Sequence, residues 1–304
     1  MRDDQHNGAP HGEEAKINVS LGEELRVPAG SDFDLSKVDP DSTPGMKRSK
    51  HSAKSKDWAR EQLGVIGAEL AVMQEQLFAM AKVGDGHQRV LLVLQAMDCG
   101  GKDGTVKKVA GTMNPAGLSI VGFGKPTAEE LAHDFLWRIR KALPAAGQIG
   151  VFNRSHYEDV LIARVHNLVP HDVWLARYDK INLFEAELAA SGVSLVKVML
   201  HISRGEQAER LDERLHDPTK YWKYNPGDLD ERAFWDDYQT AYGVALSKCS
   251  TEAAPWHVVP ANRKWYRDWA VATLLHETLS GLSLSYPPAD FDIEVERARL
   301  QNEH

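Results

Sequence analysis

The residues best suited to chemistry stand in one short loop, within the stretch LLVLQAMDCGGKDGTVKK at residues 91–108. An apolar run ends there, a Gly-rich turn follows, and Lys102 stands where a helix should begin. The common phosphate-binding loop is G-x-x-x-x-G-K-[ST], but here Ala96 replaces the first glycine and Asp103 replaces the Ser or Thr. The two adjacent glycines let the backbone approach an anion, which the free N–H groups of the following helix and the lysine attract. The stretch therefore predicts a phosphate site without the hydroxyl that usually binds magnesium.

A carboxylate inside this loop adds a requirement for a cation. Asp98 would repel a bound phosphate unless a cation lay between the two. Magnesium prefers oxygen ligands, commonly one or two carboxylates with phosphate and water, so Asp98 is the candidate metal ligand. The alternative interpretation is a Gly-rich β-to-α turn with no ligand. The other candidate phosphate- and nucleotide-binding residues of the loop and helix start are Cys99, Gly100, Gly101, Asp103, Gly104 and Thr105.

A second constellation follows another apolar run, in GQIGVFNRSHYEDVL at residues 147–161. Arg154 could clamp a phosphate with its fork of donors. Glu158 and Asp159 could hold metal-bound water or an acceptor sugar. In the alternative interpretation, Arg154 is a salt-bridge partner and His156 caps a helix. In the functional interpretation, this stretch adds a phosphate-binding arginine to the lysine of the loop.

A third constellation is HISRGEQAERLDERLHDPTKYWKYNPGD at residues 201–228. Arg210 and Arg214 lie four residues apart, hence on one helical face, and Lys220 and Lys223 follow in a segment interrupted by proline and aromatic residues. Acidic residues are as numerous as basic ones from the first arginine to the last lysine, which is typical of a solvated helix. Combined with the loop, the stretch instead predicts a lid, because P-loop kinases often close a mobile basic segment over the transferring phosphate.

Regular elements must position these residues, and the rest of the pattern predicts them. Short, wholly apolar runs alternate with helical patterns, which is typical of a parallel sheet covered on both faces. Ligand groups should gather beyond the carboxyl ends of such strands. Polar residues follow the five runs in turn: Asp98 and Lys102; Lys125; Asn153 and Arg154; Arg204; Arg263 and Lys264. The predicted strands are Val90–Leu94, Leu118–Phe123, Ile149–Phe152, Leu195–Leu200 and Trp256–Val259, and the predicted helices between them are Thr127–Ala142, Asp172–Ala190 and Leu229–Leu246.

The composition limits the protein class. The chain has 304 residues, is 42% hydrophobic and has a formal net charge of −8, which argues against a nucleic-acid coat or a polybasic membrane anchor. Its two cysteines are too few for a disulfide framework and suit a reducing compartment. No stretch resembles a signal peptide or reaches the roughly 18 apolar residues of a membrane span, so a cytoplasmic protein is expected.

The chain divides into two parts by composition. Residues 1–56 are polar and rich in Gly, Ser and Pro, which predicts a largely extended or mobile arm. The basic cluster MKRSKHSAKSK at 46–56 could touch an anionic ligand or be a solvated tail. From Asp57 apolar residues recur at helical spacing until Gly84. A single domain is therefore predicted over residues 57–295, with its lid at about 203–228.

Together these segments resemble a family-2 polyphosphate kinase, in the subgroup that phosphorylates nucleoside mono- and diphosphates. The resemblance rests on LQAMDCGGKDGTVK, FNRSHYEDVL, DPTKYWKYNPGDLDERAFWDDY and APWHVVPANRKWYR in that order, and covers roughly residues 30–290. It implies an α/β fold of the P-loop kinase, thymidylate-kinase-like type: a three-layer αβα sandwich with a five-stranded parallel sheet and a helical lid. It also implies Mg²⁺ dependence, inorganic polyphosphate as phosphoryl donor, and homodimers or homotetramers.

The resemblance also assigns roles to individual residues. Asp98 and Lys102 become the essential acid and lysine of the loop. Asn153 and Arg154 occupy the Walker B position; many relatives have Asp in place of Asn153, and Glu158 and Asp159 are candidates to take over part of that role. The implied catalytic residues are Asp98, Lys102, Arg154, Arg210 and Arg214. The implied binding residues beyond the loop are Asn153, Glu158, Lys220 and Lys223, the last two in the lid.

The expected activity is transfer of the terminal phosphoryl group of polyphosphate to ADP, and to AMP, to make ATP. The acceptor is already an anionic phosphate oxygen, so positioning and charge neutralisation, not a strong general base, must supply the rate. One rival is an ATP-dependent nucleotide kinase, although such enzymes normally keep the Ser or Thr after the lysine. The other is a non-catalytic polyphosphate- or nucleotide-binding regulator. The expected partners are inorganic polyphosphate, ADP, AMP and ATP, with neither nucleic acid nor a membrane.

Overall fold

A five-stranded parallel sheet forms the centre of the computed structural model, which describes residues 20–46, 52–84 and 86–302. Its strand order is β2-β3-β1-β4-β5. The strands are β1 Arg89–Ala96, β2 Leu118–Gly122, β3 Ile149–Asn153, β4 Val193–His201 and β5 Trp256–Pro260. All five predicted strands are present: β3 and β5 are one residue longer than predicted, β1 and β4 are three residues longer, and β2 is one residue shorter.

The central strand β1 explains why its sequence shows no alternation of polar and apolar residues. It pairs in parallel with β3 and β4, so that Val90 lies opposite Ile149 and Ser194. Every β1 residue from Val90 to Ala96 is buried. Both faces of the strand are covered, so apolar residues are required at successive positions.

Helices cover the sheet on both faces. Within the described residues the α-helices are α1 Leu21–Leu25, α2 Ser52–Val83, α3 Lys102–Val109, α4 Ala128–Leu131, α5 Trp137–Lys141, α6 Ile162–Val165, α7 His171–Ala190, α8 Arg204–His216, α9 Gly227–Glu231, α10 Trp235–Cys249, α11 Lys264–Ser280 and α12 Ile293–Asn302. Helices α3 and α11 pack on one face, with α2 outside α11, and α7 and α10 cover the other. The predicted α/β fold with helices on both faces of a five-stranded parallel sheet is confirmed.

The pattern over Thr127–Ala142, predicted as one helix, forms two short ones. The first, α4, begins with a capping box between Thr127 and Glu130. Asp134 then interrupts the helix, because its carboxylate accepts the N–H of Leu136 at 3.0 Å and its carbonyl accepts that of Trp137 at 2.8 Å. Aspartate competes for backbone groups in this way, and the spacing of apolar residues does not reveal it.

The N-terminal segment differs from the extended or mobile arm expected of residues 1–56. Residues 20–46 pack on the domain, and four apolar side chains are buried: Leu21, Leu25, Val27 and Leu35. The N–H of Val27 donates to the carbonyl of Trp256 in β5 at 2.8 Å. Residues 1–19 and part of the basic cluster at 46–56 lie outside the described residues. A few buried anchors hold this segment, although its average composition is polar.

Helix α2 begins at Ser52, so the predicted division at residue 57 falls inside it. Leu70 and Leu77 are 0% and 2% exposed, and the helix packs along α11. The helix indicated by the spacing of apolar residues after Asp57 is confirmed. In the part of the chain that the structure describes, no helix combines the length and the apolar character that a bilayer crossing requires.

Candidate active site

The loop between β1 and α3 is packed so tightly that two of its residues must be glycine. Gly101 has φ of 99°, and Gly100 donates its N–H to the Met97 carbonyl at 3.0 Å. A Cβ atom on Gly100 would collide with Ala96, and one on Gly101 would collide with the guanidinium of Arg267 in α11. The two glycines therefore serve the internal packing of the loop as well as the close approach of a ligand.

Lys102, the first residue of α3, holds its amine against the loop. Its Nζ donates to the carbonyl of Ala96 at 2.9 Å and lies 3.5 Å from that of Met97. The side chain is only 9% exposed. Burial, and then the charge of Arg154, lower the pKa of the Lys102 ammonium. The lysine is thus a fixed cation at the loop rather than a solvated one.

Asp98 and Arg154 form a direct ion pair between the loop and the end of β3. Arg154 Nη2 donates to Asp98 Oδ1 at 2.8 Å, and the two side chains are 39% and 28% exposed. Arg154 and Cys99 both have a left-handed backbone, with φ of 65° and 62°. A non-glycine residue in this region costs about 1–2 kcal/mol, and such residues cluster at functional sites. The arginine is therefore held in a conformation that its surroundings must enforce.

These groups line a cavity of about 420 Å³ at the carboxyl end of the sheet. Eleven of the sequence-predicted residues meet there: Asp98, Cys99, Gly100, Gly101, Lys102, Asp103, Gly104, Asn153, Arg154, Arg214 and Lys223. Gly122, Phe123, Gly124, Asn225 and Asp228 complete the wall. The loop, the end of β3 and the segment after α8 thus meet around one volume.

Each acid of the cavity is paired with a neighbouring basic or amide group. Asp228 accepts from Arg214 Nη1 at 3.2 Å, and Asp103 lies 3.6 Å from Lys223 Nζ and accepts from the amide of Asn153 at 2.7 Å. Burial, and then the charge of Asp98, raise the pKa of Asp228. In the described part of the chain, no group of three or more His, Cys, Asp or Glu side chains could hold a metal ion by itself. The cavity instead offers carboxylates that would complete a metal site only together with a ligand's own oxygens.

A sequence model of one family, described as polyphosphate kinase 2 (PPK2), matches residues 53–284. The chain belongs to the polyphosphate kinase 2 family. The resemblance seen in its motifs is thereby confirmed.

Among similar proteins, the AMP/ADP-polyphosphate phosphotransferase of Meiothermus ruber is 48% identical over 262 residues, covering 86% of this chain and 94% of that protein. The ADP-polyphosphate phosphotransferase of Rhodopseudomonas palustris is 40% identical over 280 residues, with coverage of 87% and 91%. The crystal structure of polyphosphate kinase 2 from Arthrobacter aurescens TC1 superimposes with a TM-score of 0.88 at 51% identity, covering 95% of this chain and 99% of that one. The match to the family is thus nearly full length.

Arg210 does not line the cavity, although sequence reasoning placed it beside Arg214. Its guanidinium donates to the carbonyls of Cys99 at 2.9 Å and of Ala261 at 2.6 Å, and pairs with Glu206 at 2.6 Å. The side chain is 6% exposed. In this polyphosphate kinase 2 family member, Arg210 therefore braces the loop from α8, and its guanidinium does not form part of the cavity wall.

Three other predicted residues also lie outside the cavity. Lys220, in the 3-10 turn Pro218–Lys223, pairs with Asp217 at 3.1 Å on the exposed surface. Thr105 is buried, and its hydroxyl donates to the Gly101 carbonyl at 3.2 Å. Glu158 lines a second cavity of about 230 Å³, which shares Asp98 and Arg154 with the first one, and burial raises the pKa of this carboxyl group. The alternative interpretation of His156 as a cap does not hold either, because Ser155 caps that turn.

Sequence reasoning missed several residues of the wall. Gly122 ends β2, and Phe123 and Gly124 directly follow it, so the strand-end rule would have found them had it not been applied to polar residues alone. Asp228 stands in the segment from which a lid was predicted, but it was not among the predicted contacts. Arg267 ends the quoted motif APWHVVPANRKWYR, but its position under the loop depends on how α11 packs, which the motif does not reveal.

Proposed function

We propose that this chain transfers the terminal phosphoryl group of inorganic polyphosphate to ADP, giving ATP, and to AMP, giving ADP. One observation carries the proposal. A single cavity brings the loop lysine, Lys102, together with Arg154 and with Arg214 of the lid, in a chain whose relatives bear the names of such enzymes. One phosphoanhydride is exchanged for another, so the reaction runs in either direction according to mass action.

The balance of charge in the cavity supports a requirement for Mg²⁺. Four cationic side chains line it against the three carboxylates of Asp98, Asp103 and Asp228. One net positive charge does not offset two polyanions that must meet there. Asp98 and Asp228 face the same cavity, and their mutual repulsion is what a divalent cation would relieve. These carboxylates would hold the metal, with Asp98 as the principal ligand, and bound Mg²⁺ would neutralise charge on the transferring phosphoryl group.

The remaining side chains act by position and charge. Lys102 presents a fixed ammonium at the start of α3, where the free N–H groups of the helix also favour an anion. Arg154 offers a fork of donors from the opposite wall, suited to two oxygens of one phosphate. Arg214 and Lys223 approach from the lid, and each must exchange its present carboxylate partner for phosphate oxygen. No strong general base is needed, because the attacking oxygen is already anionic.

The first rival, an ATP-dependent nucleotide kinase, requires a hydroxyl after the lysine to hold the metal. The residue there is Asp103, whose carboxylate already contacts Asn153 and Lys223. The second rival, a non-catalytic regulator, gives no reason for a carboxylate such as Asp98 to line a phosphate cavity. Neither rival is favoured by the names of the relatives.

The deciding experiment measures ATP by luminescence from purified protein with polyphosphate and ADP, and no added ATP. AMP replaces ADP in a second arm, in which ADP is measured by chromatography. We expect product only with polyphosphate and Mg²⁺, and its loss with EDTA. Asp98→Asn is the matched control, because it keeps the shape of the side chain and removes its charge. Product that requires ATP as donor would favour the first rival, and polyphosphate binding without product would favour the second.

We further propose that one kinase domain contains residues 57–295 together with the start of α2 and the packed residues 20–46, with a lid at about 203–228, in a cytoplasmic homodimer or homotetramer. The lid contains α8, a 3-10 turn at Pro218–Lys223 and the start of α9. Its Trp222 is 78% exposed, which makes it a natural reporter of closure. Intrinsic fluorescence should change when tripolyphosphate and Mg²⁺ bind, and sedimentation velocity would give the oligomeric state.

A further inference from the structure

A fully buried polar cluster lies behind the end of β3, on the side of the sheet covered by α7. Lys197 of β4 donates to Tyr157 Oη at 2.9 Å, to Glu185 of α7 at 2.5 Å and to the Cys249 carbonyl at 2.6 Å. Tyr157 in turn donates to Glu185 at 2.8 Å, and a ring nitrogen of His156 lies 3.1 Å from the same carboxylate. Lys197, Glu185 and His156 are each 0% exposed, and Tyr157 is 1% exposed.

Such a cluster needs an explanation beyond stability. Burying a lysine and a glutamate together costs desolvation, and apolar residues of similar size commonly stabilise a core as well or better. A buried, hydrogen-bonded network does fix geometry, because few arrangements of the side chains satisfy its charged donors and acceptors. The position of the cluster in the chain therefore indicates what it fixes.

The cluster holds the turn that immediately follows Arg154. Tyr157 lies three residues after this arginine, in the 3-10 turn His156–Asp159. Arg154 has φ of 65° and is the residue at which the chain leaves β3 for this turn. A left-handed, non-glycine residue persists only where the surrounding structure enforces it. The segment from residue 153 to 158 thus needs anchors on both sides of the arginine.

Anchors exist on both sides. Upstream, the Arg154 N–H donates to the Leu94 carbonyl of β1 at 3.0 Å. Downstream, Ser155 is fully buried against the amide of Gln95, with the Ser155 hydroxyl and the amide 3.0 Å apart. The next residues are His156 and Tyr157, which are bonded to Glu185 and Lys197. An arginine at the cavity wall is therefore attached through its own backbone to a network in the core.

We propose that Lys197, Glu185 and Tyr157 are positioning residues, which hold the backbone turn that aims Arg154 into the phosphate cavity. The inference rests on the proposed function, in which Arg154 binds the transferring phosphoryl group. Lys197 touches no reacting atom, since it is fully buried and lines neither cavity. Loss of the network should therefore affect turnover through Arg154 and not through a contact of its own.

The test is a double-mutant cycle between Tyr157→Phe and Arg154→Lys. Tyr157→Phe removes one buried oxygen and keeps the ring. The orientation of Arg154 should then change, whereas its charge is kept. We expect kcat to fall about 10-fold, with KM for ADP changed less than about twofold, because small misplacements of a positioned group are expensive. In the Arg154→Lys background, which lacks the fork, the same change should lower kcat less than about twofold. If Tyr157→Phe does not fold, Glu185→Gln takes its place in the double-mutant cycle.

Tyr178→Phe is the matched control, because Tyr178 is also 1% exposed and lies on α7 with Glu185, while its hydroxyl bonds to neither Lys197 nor Glu185. It should leave kcat unchanged. Equal effects of Tyr157→Phe in both backgrounds, or a kcat that follows thermal stability alone, would overturn the inference. The same double-mutant cycle is also measured without turnover, as the affinity of each variant for tripolyphosphate by calorimetry. An inactive wild type would therefore refute the proposed function, whereas additive binding effects in the cycle would refute the positioning role.

Discussion

Replacing Arg210 and Arg214 separately by methionine should show that these two arginines, predicted on one helical face, have different roles: Arg210 braces the loop and Arg214 lines the cavity. Arg210 donates to Glu206 and to the carbonyls of Cys99, Ala261 and Asn262, and it is 6% exposed. Breaking such a buried, bonded charge costs about 3–5 kcal/mol, because the partners are left without donors.

For a chain of this size, such a loss corresponds to a fall in Tm of about 10 °C. Arg214 is 21% exposed and makes one carboxylate pair with Asp228. Arg214 also donates to the Lys223 carbonyl at 2.7 Å, but it makes fewer hydrogen bonds than Arg210, so Arg214→Met should lower Tm by less, about 5 °C.

At a temperature where both variants are folded, the order should be reversed for activity: Arg214→Met should lose more of it than Arg210→Met. Arg214→Met removes a cation from the cavity, and kcat for ATP formation should fall about 100-fold, the usual cost of losing one group that stabilises transition-state charge. Arg210→Met should keep a larger share of kcat once the folded fraction is measured by circular dichroism. If Arg210→Met melted like the wild type and lost all turnover, Arg210 would be a phosphate ligand and its bracing role would be wrong.

Four further predictions concern the loop and the pH dependence of stability. Asp98→Asn should abolish ATP formation and leave the circular dichroism spectrum unchanged; wild-type turnover would exclude Asp98 as metal ligand. Lys102→Ala should lower kcat by more than it raises KM, and a change in KM alone would make it a simple binding group. Gly101→Ala should lower Tm and kcat together, because φ of 99° and Arg267 leave no room for a Cβ atom; retained stability would contradict that packing. Burial lowers the pKa of His257 from 6.5 to about 4, so the unfolded chain binds the proton first, and about 3 kcal/mol of stability should be lost as pH falls from 6.5 to 4. In urea unfolding, the free energy of unfolding of His257→Asn should fall less between pH 6.5 and 4 than that of the wild type. The same pH dependence in both proteins would refute the role of His257.

The fold could be predicted from the sequence because strands buried on both faces require apolar residues at successive positions. Runs such as Val90–Leu94 are apolar at every position, and the strand-end rule then placed Asp98, Lys102 and Arg154 at one edge of the sheet. These residues do meet in the structure. The rule works for them because their side chains project from the loops directly after the central strands.

The same rule failed where a distant segment supplied a partner. Arg263 follows β5, but its guanidinium donates to the carbonyl of Asp41, 222 residues earlier in the chain. Lys264 pairs with Glu213 at 3.0 Å. Such contacts depend on how separate elements pack, and helical spacing likewise cannot reveal how deeply α8 buries Arg210.

The N-terminal segment has a consequence for the boundary of the folded unit. Strand β5 is the last strand on its side of the sheet, and the bridge between Arg26 and His257, with the bond from Val27, occupies its outer hydrogen-bonding groups. An exposed edge strand can pair with strands of other molecules and so promote aggregation. A chain cut back to residue 53, where the family match starts, would lose this protective cover. Resistance to self-association thus resides partly in a stretch that the family match leaves out.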